Sequence, residues 1–257
     1  MTPGRTARVR SHRPVRALLT ASAAVLVVLA LAFVLAERGV LWPNRLLAAQ
    51  YEVRGIDVSA YQGTVDWPTI ARQDIDFAYV KATEGSSFVD RQFEANLRGA
   101  REAGLLVGAY HFFSFESSGR SQAAHLLATV PDDEGMLPVA IDVEYYGSFH
   151  AHPPDPAGVR TELTALVEAL RERGTEPVVY ATRSAYDRYI ADGFPDTPIW
   201  IRSVIVPPTM SDGRAWTFWQ YSNRDRLDGY DGAEEFVDMN VFHGDLDDLR
   251  ALRGPTG

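Results

Sequence analysis

Short runs of β-branched and aromatic residues alternate with helical patterns after residue 50, and this alternation restricts the fold more than any other feature of the sequence. The eight strand-like runs are 55–59, 77–81, 106–112, 139–143, 178–181, 199–203, 216–220 and 236–240. The helical patterns between them are 67–72, 93–103, 121–130 and 159–173. Because strands that alternate with helices pair in parallel, this order predicts an α/β fold with an irregular, closed TIM-like (β/α) barrel. A doubly wound open sheet is the alternative, but the chain lacks the glycine-rich phosphate-binding fingerprint that would favour it.

The first fifty residues differ in composition from the rest. Residues 17–36 are twenty positions without a charge, and at about 1.5 Å per residue such a helix crosses roughly 30 Å of hydrocarbon. Arginines cluster in residues 1–16, so the positive-inside rule keeps this end in the cytoplasm. We therefore predict a transmembrane anchor and an extracytoplasmic domain, with a cleaved signal and secretion as the alternative. The predicted organisation is a basic segment 1–16, the anchor or signal helix 17–36, a linker 37–52, the barrel domain 53–252 and a tail 253–257.

Charge and cysteine content limit the partners of the domain. The first fifty residues carry about +6, so the formal charge of -9 for the whole chain leaves about -15 on the remainder. Nucleic-acid-binding surfaces are basic, and we therefore expect no nucleic-acid partner. The absence of cysteine excludes disulfides and thiolate metal sites. We expect a monomer that uses no cofactor.

Polar residues collect at the ends of the predicted strands, which is where a β/α barrel carries its catalytic groups. They are Asp57, Lys81, Glu84, Tyr110, His111, Asp142, Glu144, Tyr180, Trp219, Gln220, Asp238 and Asn240. In a closed barrel the first and last strands are neighbours, so Asp57 and Asp238 are expected side by side. We predict that these side chains face one mouth.

Two carboxylates at the end of one strand give the strongest indication of chemistry. Asp142 and Glu144 are separated by one residue, so they share a face with Cα atoms about 6 to 7 Å apart. Neighbouring carboxylates disfavour ionising together, so one pKa rises and that group can act as a general acid near neutral pH. Cleavage of a glycosidic bond is the reaction that most often uses such a pair. Solvation of a loop is the structural alternative for the pair taken alone.

Aromatic residues near the strand ends favour a sugar substrate, because flat rings stack on sugar faces. Tyr61, Tyr110, Tyr180 and Trp219 are the candidates for this contact, although barrel packing accounts for about half of the aromatic residues, Trp200 among them. Lys81 is the only lysine in the chain, which indicates a specific need for its ammonium group.

A metal site is the chemical alternative to paired-carboxylate catalysis. Asp57, His111, Asp142, Glu144 and Asp238 are residue types that ligate divalent ions, but no His-x-His or His-Glu-x-x-His spacing is present. The serines lack the Gly-x-Ser-x-Gly elbow of a serine hydrolase. We expect no bound metal.

Eight motifs in order resemble glycoside hydrolase family 25, the Chalaropsis-type lysozymes or N-acetylmuramidases. They are GIDVSAYQGTVDW, YVKATEG, GAYHFF, PVAIDVE, PVVYAT, PIWIRS, FWQYS and VDMNVFHG. The resemblance covers residues 54 to about 249. One departure lies in IWIRS, where many members carry W-I-A followed by an aromatic residue.

The resemblance implies an irregular β/α barrel that cleaves the β-1,4 bond between N-acetylmuramic acid and N-acetylglucosamine in peptidoglycan. It implies that Glu144 is the general acid and that Asp142 assists it by orienting or stabilising the 2-acetamido group of the substrate during internal attack; direct attack by water is the alternative. Asp57 and Asp238 match two further acidic residues of the site, and Tyr180 matches a tyrosine at its edge. We expect Tyr110, Trp219, Gln220, Lys81 and Tyr61 to bind substrate with Tyr180. Two other functions stay open, a catalytically silent wall-binding module and a metal-dependent polysaccharide deacetylase.

Overall fold

A computed structural model of the chain describes residues 13–37, 43–132, 135–174 and 176–253. The chain divides into two compact units, Met1–Trp42 and Pro43–Gly257. In the first, α1 spans Arg13–Glu37. Across the described residues, no helix combines the length and the apolar character that a membrane crossing requires, so the transmembrane prediction for 17–36 is not confirmed. Residues 1–12 of the predicted basic segment and residues 254–257 of the predicted tail lie outside the described residues.

The second unit is built on a closed barrel of eight strands, as predicted, and the open-sheet alternative is wrong. The barrel strands are β1 (Arg54–Val58), β2 (Phe77–Glu84), β4 (Leu106–Phe112), β5 (Ala140–Val143), β6 (Val178–Thr182), β7 (Ile199–Arg202), β8 (Phe218–Asp225) and β9 (Val237–Phe242). Their order is β1-β2-β4-β5-β6-β7-β8-β9, and β9 pairs with β1 to close the ring. A two-residue strand, β3 (Phe88–Val89), pairs with the end of β2 outside the ring.

The last strand reverses the direction that we predicted for it. β1 through β8 pair in parallel around the ring, whereas β9 runs antiparallel to both β8 and β1. The physical reason is the connection 226–236, which is fully described and contains no helix, because a parallel return needs a long crossover that is usually helical. Parallel pairing of all eight strands was therefore wrong for β9, and the N-terminal end of β9 lies at the mouth of the barrel.

Helices surround the ring and begin where the sequence supplies a cap. They are α3 (Trp67–Ala71), α4 (Phe93–Glu102), α5 (Gly119–Thr129), α6 (Pro156–Arg171), α7 (Arg183–Ala185) with a π-helical turn at Tyr186–Ile190, and α8 (Leu246–Ala251). Asp66, Ser118 and Asp155 each accept a hydrogen bond from the backbone of the first turn that follows, which satisfies donors that the helix leaves free. The fully described connection 203–217 contains no helix, in agreement with the predicted irregularity of the later barrel.

Aromatic side chains fill the lower half of the barrel interior. Gly55 stands in register with Phe77, and Gly108 with Tyr79, so the missing side chains make room for two large rings. A Cβ atom on Gly108 would lie 2.3 Å from Cε1 of Tyr79, so the ring occupies that space fully. These packed rings form the floor of the barrel interior, and the next inward side chains along the strands line an open mouth above it.

A short helix before the first strand belongs to the barrel unit. α2 (Pro43–Ala48) lies within the range 37–52 that we predicted as a linker, of which residues 38–42 lie outside the described residues. Asn44 is completely buried, and its Nδ2 donates to the carbonyl oxygens of Ser203 at 2.8 Å and Tyr221 at 3.3 Å. Arg45 forms an ion pair with Asp225. The helix in the predicted linker is therefore docked on β8 and on the residue that follows β7.

Candidate active site

A cavity of about 530 Å³ opens at the mouth of the barrel, and it receives residues from all eight strands or the loops that adjoin them. Its lining includes Asp57, Tyr61, Gln62, Lys81, Tyr110, Phe112, Asp142, Glu144, Tyr180, Trp200, Gln220, Asn223, Arg224, Glu234, Phe236 and Asp238. Strand alternation explains why these residues meet, since every second side chain of a barrel strand points inward. On β2 the inward side chains are Phe77 and Tyr79 in the packed floor and then Lys81 in the cavity. Eight of the twelve side chains that we predicted to face one mouth line this cavity, as does Tyr61. The four that are absent from the lining are Glu84, His111, Trp219 and Asn240.

Asp142 and Glu144 reach the cavity from the end of β5. All four residues of β5 are buried, and Asp142 is its third residue, with 8% of its surface exposed. Glu144 directly follows the strand and is more accessible. Oδ1 of Asp142 is buried and has no hydrogen-bond partner within the protein. An unpaired buried carboxylate oxygen in a cavity is suited to accept a donor from a bound molecule.

Burial is the main cause of the altered acidity of this pair. It raises the pKa of Glu144, and the charge of Arg202 opposes this while the charge of Asp57 adds to it. Burial also raises the pKa of Asp142 well above its usual range, and here the charge of Glu144 adds to the effect. We expected Asp142 to raise the pKa of Glu144. Desolvation makes the larger contribution to the rise at both residues, and the repulsion between the two carboxylates adds to it at Asp142.

Asp57 and Asp238 face each other across the β1–β9 pairing, as predicted for neighbouring first and last strands. Asp238 is the second residue of β9, and it reaches the mouth because this strand runs opposite to the others. Burial raises the pKa of Asp238 well above its usual range, and the charge of Asp57 adds to this. Burial also raises the pKa of Asp57 above its usual value, and hydrogen bonds from Asn240 and Gln220 offset only part of this rise.

Hydrogen bonds connect Asp57 to two buried amides and, through them, to two aromatic side chains. Oδ2 of Asp57 accepts from Nε2 of Gln220 at 3.0 Å and from Nδ2 of Asn240 at 2.8 Å. The hydroxyl of Tyr180 donates to Oε1 of Gln220 at 3.0 Å. The indole Nε1 of Trp200 donates to Oδ1 of Asn240 at 2.9 Å. Gln220 therefore uses both ends of its amide within the protein, which differs from the substrate contact expected for it.

The structure does not bring Trp219 to the cavity. Its side chain is buried on the outer side of the barrel, where Nε1 donates to the carbonyl oxygen of Ser203 at 2.9 Å and the ring packs edge-on against Tyr51. Trp219 and Gln220 are consecutive strand residues, so only one of them can point inward. Trp200, which we had assigned to packing, lines the cavity instead. Phe218 and Gln220 are two positions apart and therefore share the inward face of the strand, and this alternation could have excluded Trp219 from the sequence alone.

Lys81 and two tyrosines complete the polar wall. Nζ of Lys81 donates to Oε2 of Glu84 at 2.7 Å and lies 5.0 Å from the centre of the Phe112 ring. Burial raises the pKa of Tyr110 and of Tyr180, so both hydroxyls stay protonated as hydrogen-bond donors. Tyr61 stands at the rim with 66% of its surface exposed.

His111 does not line the cavity, although it lies at a strand end. It is completely buried, with Nδ1 2.8 Å from the hydroxyl of Thr83 and Nε2 3.0 Å from Oε1 of Gln122. It thus serves the packing between the barrel and α5. Among the described residues, no group of three or more His, Asp or Glu side chains is arranged to hold a metal ion.

Comparisons with known proteins agree on one family. The profile of glycosyl hydrolases family 25 matches residues 56–230. Lysozyme M1 of Streptomyces globisporus is 33% identical over 215 residues, which are 79% of this chain and 72% of the relative. The structure of a family 25 glycosyl hydrolase from Bacillus anthracis superposes with a TM-score of 0.75 at 46% identity, over 79% of this chain and 94% of that one. A bacterial lysozyme from Streptomyces coelicolor gives a TM-score of 0.72 at 33% identity, over 80% and 98% of the two chains.

Proposed function

The chain belongs to glycosyl hydrolase family 25 and is a peptidoglycan-cleaving muramidase, and we propose that Glu144 is the general acid that protonates the leaving oxygen of the glycosidic bond. The observation that carries this role is the position of Glu144, which follows β5, lines the cavity and remains partly accessible there. Burial raises its pKa, which favours the protonated form that an acid needs. The wall-binding and deacetylase alternatives are not favoured.

We propose that Asp142 orients the 2-acetamido group of the muramic acid residue. Its unpaired Oδ1 is available to accept a hydrogen bond from the acetamido N–H. The acetamido oxygen then attacks the anomeric carbon as the glycosidic bond breaks. The proton of Glu144 passes to the leaving oxygen of that bond. Water opens the cyclic intermediate, and Glu144 takes a proton from this water, which restores the acid.

The remaining cavity residues are proposed to hold the glycan. Tyr110 presents a protonated hydroxyl, Tyr180 lines the cavity with a hydroxyl whose proton is donated to Gln220, and Tyr61 offers an exposed ring at the rim for stacking on a sugar face. Lys81, the only lysine of the chain, places its ammonium group beside Phe112 in the wall. Because one chain supplies the whole lining, we propose that the enzyme works as a monomer. Its substrate is the cell wall, so we propose that the domain acts outside the cytoplasmic membrane.

The test is clearing of a cell-wall suspension by the full chain and by Glu144→Gln. Loss of a general acid is expected to reduce the rate about 10²- to 10⁴-fold. Glu94→Gln, an exposed position on α4, is the matched control and should keep the rate of the parent chain. Mass spectrometry of the products from purified peptidoglycan should show muramic acid at the new reducing end. Equal clearing by the parent chain and Glu144→Gln would contradict the assigned role.

A further inference from the structure

Asp57 differs from the other carboxylates of the cavity in how it is held. One of its oxygens accepts two amide donors, from Gln220 at 3.0 Å and from Asn240 at 2.8 Å. By contrast, Oδ1 of Asp142 is buried without a partner in the protein. Two N–H donors that converge on one oxygen favour a carboxylate over a carboxylic acid, because only the ionised form gains the full charge-assisted strength of both bonds.

The amide of Asn240 cannot turn around to offer Asp57 its oxygen instead of its N–H. An indole N–H is a donor only, so the bond from Trp200 fixes Oδ1 of Asn240 on its side and leaves Nδ2 facing Asp57. In the structure the hydroxyl of Tyr180 donates to Oε1 of Gln220 and leaves Nε2 facing Asp57, although a hydroxyl can also accept and so does not by itself fix this amide. Trp200, Gln220 and Asn240 are 2%, 1% and 0% exposed, so water cannot replace any of these partners.

We propose that Trp200 with Asn240, and Tyr180 with Gln220, form an amide clamp that keeps Asp57 ionised and fixed, so that Asp57 supplies the permanent negative charge facing the cationic sugar of the transition state. The proton that moves during the reaction then belongs to Glu144. Asn240, Gln220 and Trp200 are positioning residues, since they act through Asp57. This inference rests on the proposed function for the identity of the cationic sugar, whereas the ionisation of Asp57 is a property of the free protein.

The charged and titratable groups around Asp57 come from five other strands. They are Tyr110, Asp142, Glu144, Tyr180, Arg202 and Asp238. Asp238 is the neighbour in register, where burial raises its pKa and the charge of Asp57 adds to the rise. Two adjacent carboxyl groups often take different roles in catalysis when their surroundings give them different pKa values.

The direct test is titration of the Asp57 carboxyl carbon by ¹³C NMR in the full chain and in Asn240→Ala, with Asp57→Asn to assign the signal. Removal of one amide donor is expected to raise the pKa of Asp57 by about one pH unit. Trp200→Phe keeps the ring and removes only the N–H that orients Asn240, so a smaller rise in the same direction is expected. Asn96→Ala, at an asparagine of α4 that is 3% exposed, is the control for general loss of packing and should leave the titration unchanged.

The same variants distinguish the clamp from the proposed function. In wall clearing, the acidic limb of the rate profile should move to higher pH in Asn240→Ala and Trp200→Phe, because activity needs ionised Asp57. A merely structural role would lower the rate at every pH and leave the limb in place. An unchanged pKa of Asp57 in both variants would overturn the clamp even if clearing is normal. A parent chain that clears no wall would overturn the proposed function, whatever the titration shows.

Discussion

Replacement of Asn44 by alanine tests whether α2 is part of the folded domain. Nδ2 of Asn44 donates to two carbonyl groups, at 2.8 Å on Ser203 and 3.3 Å on Tyr221, and the residue is completely buried. Loss of a buried donor costs about 1–3 kcal/mol. Two structural features reduce that cost, since Ser203 keeps its bond from Trp219 and the unpartnered Oδ1 of Asn44 is removed as well. We therefore expect Asn44→Ala to lower the free energy of unfolding by about 1–2 kcal/mol.

Thermal unfolding monitored by circular dichroism measures this effect. A domain of this size loses about 2–4 °C in Tm per kcal/mol, so Asn44→Ala should unfold about 2–8 °C below the parent chain. Gln50→Ala is the matched amide control, because Gln50 is exposed and bonds only to the nearby carbonyl of Leu47. Its Tm should stay within the scatter of the parent, as for most surface changes. Equal Tm values for Asn44→Ala and Gln50→Ala would show that residues 43–48 behave as the linker that the sequence predicted.

Three further predictions concern pH and packing. Because burial raises the pKa of Glu144 and its protonated form is the active one, kcat/KM should be retained below that pKa and fall as the pH rises through it; a rate that keeps climbing well above neutral pH would contradict this. Burial lowers the pKa of His111 to about 4, so the stability that its neutral form contributes is complete above about pH 6.5 and is lost as the pH falls toward 4. Urea unfolding should show a decline of up to about 3 kcal/mol over that range, and a variant His111→Asn that declines equally would argue against the assignment. Gly108→Ala forces a methyl group against Tyr79 and should cost about 1–3 kcal/mol in thermal unfolding, whereas Gly158→Ala on α6, where the nearest atom is 3.8 Å from the new Cβ, should cost nothing. Equal destabilisation by the two alanines would refute the packing argument.

The position of Asp238 shows how a correct prediction can rest on a wrong element. Sequence alternation predicted a parallel last strand that carries Asp238 near its C-terminal end. The strand is antiparallel, and Asp238 is near its beginning, yet it lies at the same mouth and in register with Asp57. The closure of the ring decides this, because β9 fills the gap between β8 and β1 in either direction.

The sequence by itself determined the eight strands, their order around a barrel and the carboxylates of the mouth. These follow from local rules: hydrophobic runs define strands, strand ends define the mouth, and a spacing of two residues places Asp142 and Glu144 on one face. The same rule, applied to β8, separates Gln220 from Trp219, so that assignment was available from the pattern and was missed.

Only the tertiary structure decided which side chains form hydrogen bonds with each other and which carboxyl groups are buried. The amides that hold Asp57 come from β8 and β9, more than 160 residues along the chain, and no periodicity within one strand reports such a contact. Burial is likewise a property of the assembled barrel, and it makes desolvation the largest influence on the acidity of Asp142 and Glu144. The docking of α2 has the same origin, because the carbonyl groups that Asn44 satisfies exist as a pair only after β7 and β8 have come together.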